Sequence, residues 1–399
     1  MTLFPSAEIL RRRADIGLIV AFFILVWLPC ADTFLHLDRA PSPNENRAPA
    51  GFPTREPGLP GLRKFTAGIE AYFDDHFGFR RQLVSWERHW RWQFFHDTRI
   101  VNVLKGKGDW LFFSDGRMVD DISGARPFSE AELIGWRILL TGRRDWLRQR
   151  GILYLFVVPP DKQSIYPEHL PDWLVARAKK PQRLDQFLAH MRAHSDVPIL
   201  DLRDTLLEAK KNADVYLHTD SHWNERGALI AARRIVRELA SLGIVTTAPA
   251  SEAYRESMGT GSGGDLALML GQERHLPEKA AILLTPLPPL KELDIRVDAM
   301  LIPKKWIPGT EPRFSENPRS IGRAVMFRDS YAILLSKFFS QSFGRTAYVW
   351  QQNWDKAFIE RERPNVVIDE MLERFVIFRD PRELRMADEN PNVQIFSDR

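Results

Sequence analysis

Between residues 129 and 369 short apolar runs alternate with amphipathic segments, and this alternation constrains the fold more than any other feature. The apolar runs are ILYLFVV (152–158), PILDL (198–202), AVMF (324–327), TAYVW (346–350) and NVVID (365–369). Helix-like patterns occupy 129–149, 181–194, 224–241, 331–340 and a stretch near 354–361. A strand that is apolar on both sides must be covered on both faces, and helical crossovers between strands make them parallel. The expected fold is therefore α/β, a mostly parallel sheet flanked by helices. In such sheets reactive side chains gather on loops beyond the carboxyl ends of the strands.

The chain has 399 residues and 44% hydrophobic content, enough for a proper core. Lys and Arg total 56 against 52 Asp and Glu, and no dense basic tract marks a nucleic-acid groove. Cys30 is the single cysteine, so neither an intramolecular disulfide nor a cysteine metal cluster can form. Arg11, Arg12 and Arg13 precede an apolar run from Ile16 to Ala31. Basic residues ahead of an apolar segment keep the N-terminus cytoplasmic and send the rest across the membrane. A cleaved signal peptide is the rival reading, but no small-x-small cleavage site is present. Residues 40–62 are dense in Pro, Gly and polar residues and read as a spacer. The expected organisation is a cytoplasmic N-terminus (1–15), a transmembrane signal anchor (16–36), a Pro-rich linker (37–63) and one catalytic domain (64–399). Segment 80–98, rich in Trp and Phe, is expected to form a helix packed into the core.

Three residues far apart supply the parts of an acyl-transfer site. Asp220 and His222 lie in YLHTDSHW (216–223), and Ser330 lies in VMFRDSYA (325–332), just past an apolar run. A serine hydroxyl is a poor nucleophile until an imidazole takes its proton, and a carboxylate then orients and stabilises that imidazole. Each pattern alone also has a plainer reading. Asp220 could merely hold a structural histidine, and Asp or Ser before a helix often only caps it, the role expected of Asp329. HExxH and other metal-ligand spacings are absent, and so is the G-x-S-x-G elbow. In PPDKQSIYPEHLP (159–171), Lys162 and Tyr166 are candidate substrate contacts, with Lys162 paired to an acid as the alternative. GTGSGGDLALML (259–270) lacks the phosphate-loop pattern and is not expected to follow a strand. It reads as a mobile loop near the site, offering the backbone of Gly264 as a donor.

Taken in order, YFDDHFGFR (72–80), GKGDWLFF (106–113), VVPPDKQSIYPEHLP (157–171), YLHTDSHWNERGA (216–228), GGDLALML (263–270), FRDSYA (327–332) and VVIDEMLER (366–374) carry a resemblance. The chain resembles the AlgX/AlgJ-type SGNH-hydrolase-like proteins that O-acetylate alginate and related exopolysaccharides. The resemblance implies Asp220, His222 and Ser330 as a triad that works through an acetyl-serine intermediate. It also implies an exopolysaccharide substrate and a membrane-bound O-acyltransferase as acetyl donor partner, with no cofactor. The place of action would be the periplasm, on an inner-membrane anchor. Arg328 stands where a small Gly is common in such motifs, and Phe375 follows Glu373-Arg374 where alginate members carry Tyr. The expected oxyanion donors are the Ser330 backbone, Gln352 and Asn353. An extracytoplasmic carbohydrate acetyl esterase and an inactive polysaccharide-binding scaffold are the alternatives.

Overall fold

The computed structural model describes residues 7–35, 50–55, 57–80, 82–83, 86–87, 90, 102–244, 246, 248–259, 261–288, 290–297, 311–350, 353–384 and 386–387. It divides into two compact units, Met1–Asp97 and Thr98–Arg399. The helix expected over 80–98 lies largely outside the described residues.

In the first unit, helix α1 (Ala7–Leu35) precedes helix α2 (Gly58–His76). Ile16, Leu18, Ile19, Phe22, Phe23 and Trp27 of α1 are all exposed. Among the described residues no helix is long and apolar enough to cross a membrane, so the expected anchor is not shown. Asp32 is buried at the far end of α1, where its Oδ2 accepts the Phe79 N–H at 3.1 Å. Gly78 fits there because a Cβ would lie 2.2 Å from the Pro29 carbonyl oxygen.

The second unit is built on a seven-stranded sheet ordered β4-β3-β12-β9-β10-β8-β7. Its strands are β3 (Leu153–Val158), β4 (Ile199–Asp201), β7 (Ile295–Val297), β8 (Arg313–Glu316), β9 (Arg323–Arg328), β10 (Arg345–Trp350) and β12 (Val366–Glu370). The other strands are β1 (Val103–Lys105), β2 (Leu111–Phe113), β5 (Tyr254–Met258), β6 (Ile282–Pro286), β11 (Trp354–Asp355) and β13 (Met386–Ala387), each in a two-stranded pair. The first five strands of the large sheet run parallel, as expected. The last two are antiparallel, so the sheet is mixed.

Along β3 alternate side chains serve two cores. Leu155 and Val157 join the cluster that holds Tyr216, Trp223 and Tyr331, while Tyr154, Phe156 and Val158 join the one that holds Trp136 and Trp354. The second core contains a fully buried ion pair, Arg143 Nη1 to Asp369 Oδ2 at 2.5 Å, to which the Tyr154 hydroxyl also donates. Helix α3 (Glu130–Arg148) opens with a capping box in which Ser129 and Glu132 satisfy each other's backbone N–H. Helix α4 (Glu225–Ser241) is capped by Asn224 and buries Ala228, Ala232, Ile235 and Leu239, a 3.6-residue stripe packed toward helix α5 (Ala332–Phe339).

Candidate active site

Strands β3, β12 and β9 are neighbours, so the loops at their carboxyl ends converge. Ser330 follows β9, where the chain turns into α5. Asp329 shapes that turn by accepting the N–H groups of Tyr331 at 2.9 Å and Leu372 at 2.8 Å. Its own N–H donates to Glu370 Oε2 at 2.8 Å. Burial and the nearby Asp329 push the Glu370 carboxyl well above its ordinary range. Among the described residues the Ser330 N–H has no acceptor within the protein.

The structure brings Asp220, His222 and Ser330 together. Ser330 Oγ lies 2.8 Å from His222 Nε2, across 108 residues of sequence. On the other side of the ring, Nδ1 lies 2.7 Å from Asp220 Oδ1, which also accepts the His222 backbone N–H. A carboxylate only accepts, so Nδ1 carries the proton and Nε2 is free to take one from Ser330. Burial opposes charge on His222, but the hydrogen bond and charge of Asp220 outweigh it and raise the imidazole above its ordinary value. Burial alone would also raise Asp220, whereas its bonds to His222 and to backbone N–H groups lower it to about 2.

The loop that carries Asp220 and His222 is held from three sides. Lys162 is buried, and its ammonium donates to the carbonyls of Leu217, His218 and Asp220 at 3.1, 3.1 and 2.6 Å. Three donors meet three acceptors, with the rings of Trp110 and Phe112 flanking the ammonium. Burial lowers its pKa to about 7. Glu278 accepts the N–H groups of His218 and Thr219 and the Thr219 hydroxyl. Gly264 packs onto Asp220 so closely that a Cβ would sit 2.3 Å from the Asp220 Cβ. Next to it, Asp265 accepts the Ser221 N–H at 2.7 Å and donates its own N–H to Asp220 Oδ2 at 2.9 Å.

These contacts correct several expectations. Lys162 is a brace beneath the loop: its ammonium is taken up by three carbonyls, and among the described residues it makes no ion pair with an acid. Tyr166 is buried too, and its hydroxyl accepts the Val215 N–H at 2.9 Å. The Gly264 N–H is not available as a donor, because it binds Thr219 Oγ1 at 3.0 Å. The glycine-rich segment does follow a strand, β5, but this is one arm of an antiparallel pair with β6. Gln352 lies outside the described residues, and Asn353 is buried after β10. Arg328 is buried against the ring of Trp350 and lines a cavity of about 530 Å³ together with Arg313, Lys337 and Tyr348. Glu373 and Arg374 also act locally: Glu373 accepts the Asp161 N–H, and Arg374 pairs with the Asp161 carboxylate at 2.8 Å. Ligand atoms of Asp220, His222 and Asp265 lie within 4.8 Å of one another, close enough for a metal. However, each carboxylate oxygen already accepts a hydrogen bond.

A mixed α/β sheet with a serine beyond β9 and an Asp-x-His loop beside it defines the class: an SGNH-hydrolase-like fold. Residues 103–283 match the family model described as an SGNH hydrolase-like domain of the acetyltransferase AlgX, and the AlgX/AlgJ resemblance read from the sequence is thereby shown. That match includes Asp220, His222 and Asp265 and ends before Ser330. The chain is 30% identical over 176 residues to the probable alginate O-acetylase AlgJ of Pseudomonas aeruginosa, covering 44% of this chain and 42% of that protein. It is 29% identical over 192 residues to the Pseudomonas fluorescens counterpart, covering 48% and 46%. The matches thus span less than half the length of these relatives. Among solved structures, PatB1 of Bacillus cereus shares the fold with a TM-score of 0.50 and 14% identity, over 71% of this chain and 99% of that one.

Proposed function

We propose that this protein is an O-acetyltransferase that moves acetyl groups onto a secreted polysaccharide through an acetyl-Ser330 intermediate. One observation carries the reading: a continuous relay from Asp220 through His222 to Ser330, with contacts of 2.7 and 2.8 Å. His222 Nε2 takes the Ser330 proton as Oγ attacks the acetyl carbonyl of the donor. The tetrahedral species collapses, and His222 returns the proton to the departing group. A sugar hydroxyl then gives its proton to His222 and attacks the acetyl-serine carbonyl, and Ser330 leaves with the proton restored. The Ser330 N–H is the oxyanion donor that the geometry supports. Similarity to alginate O-acetylases supports a polysaccharide as acceptor. In the same reading a membrane-bound O-acyltransferase supplies the acetyl groups outside the cytoplasm. The three arginines before the exposed apolar face of α1 support attachment to the inner membrane at the N-terminus, with the catalytic unit in the periplasm.

Intact mass spectrometry of the chain after exposure to an activated acetyl ester tests the chemistry. One acetyl group on Ser330, absent from Ser330→Ala, is the expected result. Folded wild-type protein that gains no adduct and releases no acetate rejects the reading, and acetate released without transfer to any sugar makes the protein an esterase.

A further inference from the structure

We infer that Asp265 is a second carboxylate for His222, a positioning residue that works with Asp220 to hold and polarise the imidazole. The inference rests on the acyl-transfer reading of this site. Asp265 Oδ2 lies 3.6 Å from His222 Nδ1, and a hydroxyl bridges the gap. Ser221 Oγ–H donates to Asp265 Oδ2 at 2.5 Å, while its oxygen sits 3.3 Å from Nδ1. The Ser221 N–H binds the other Asp265 oxygen, and the Asp265 N–H binds the outer oxygen of Asp220. Two carboxylates, a hydroxyl and the imidazole therefore form one closed circuit, joining segments 44 residues apart in sequence.

The circuit has a chemical consequence. When His222 takes the Ser330 proton, positive charge spreads over the ring, and Nδ1–H faces Asp220 directly and Asp265 through the Ser221 hydroxyl. Other charges nearby pull in both directions. Arg374 opposes imidazolium formation, and Lys162 acts on the two carboxylates. Burial and the Asp220 charge push the Asp265 carboxyl above its ordinary range, as expected for two acids that share one imidazole.

The test is a ¹⁵N NMR titration of the His222 imidazole in the full chain, comparing wild type, Asp265→Asn and Ser221→Ala. Asp265→Asn is expected to lower the His222 midpoint by about one pH unit, and Ser221→Ala by less. The acid limb of the Ser330 acetylation rate should move down by the same amount. A midpoint that stays in place in the folded variants overturns the inference. If Asp265→Asn does not fold, Ser221→Ala decides alone on the same criterion. One equivalent of Zn²⁺ that abolishes the His222 titration in wild type also overturns it, because the three side chains would then be metal ligands. The titration needs no acetyl donor, so a chain that never acetylates Ser330 can fail the functional reading while still reporting whether Asp265 acts on His222.

Discussion

In the proposed mechanism the protonation state of His222 sets when Ser330 can react. As a base it must be neutral, and Asp220 holds its pKa above the ordinary 6.5. Ser330 acetylation by an acetyl ester is therefore expected to rise with pH through a midpoint above 6.5, read from the rate at saturating ester. Asp220→Asn should lower that rate by about 10³–10⁴-fold, since the ring loses its tautomer and its counter-charge. The same pair has a stability signature. Asp220 titrates near 2 in the folded state against 3.8 ordinarily, so its contribution is complete above about pH 4 and fades as the pH falls toward 2. Denaturant unfolding should show wild type ahead of Asp220→Asn by about 2 kcal/mol at pH 5, with the gap closing by pH 2. A flat gap would mean that the carboxylate is not bound as described.

Between elements, the decisive contacts are those that brace the Asp-x-His loop. Lys162→Met removes the donors of three buried carbonyls, which should cost on the order of 2 kcal/mol. It should also lower the acetylation rate by about 10²-fold through displacement of His222. Folded Lys162 titrates near 7 against 10.5 ordinarily, so between those values the unfolded chain binds the extra proton. Wild type is expected to gain stability relative to Lys162→Met as pH rises across that window, as followed by denaturant midpoints.

This is also the scale at which sequence reading ran out. The strands and helices of the parallel sheet were legible because each carries its own periodicity, and Asp220, His222 and Ser330 could be singled out because their residue types suit one chemistry, with the structure placing them within hydrogen-bond distance. Lys162 stood out only as a substrate contact or the partner of an acid, and Glu278 and Asp265 gave no signal at all. A lysine that donates to carbonyls leaves no mark on its partners' side chains, and Glu278 grips backbone N–H groups that every residue has. Glycine beside Asp265 was the available clue, and it marked close packing where a mobile loop was expected. The antiparallel strands β7 and β8 are short and lie at the sheet edge, where polar residues such as Arg313 and Glu316 break the apolar run.

Across the whole molecule, the sheet is the frame that positions the site, and the buried Arg143–Asp369 pair is a point where mutation would weaken it. Both side chains are fully buried, so Asp369→Ala would remove the carboxylate paired with a buried guanidinium in the second core. A loss of about 3–5 kcal/mol is expected in denaturant unfolding. Since Asp369 and Glu370 are adjacent on β12, part of that damage should reach the Ser330 turn as a slower acetylation rate.

The strand order has a consequence for when the proposed site can assemble. β12 is the last strand of the large sheet to be synthesised, yet it lies between β3 and β9. Until residues 366–370 are available to insert, β9 lacks the neighbour that joins it to β3, and the turn carrying Ser330 lacks its anchors at Glu370 and Leu372. In the proposed reading, such incomplete chains lack the relay from Asp220 through His222 to Ser330. Stalled chains ending near residue 360 should be unreactive toward the acetyl ester, and chains extended beyond β12 should react.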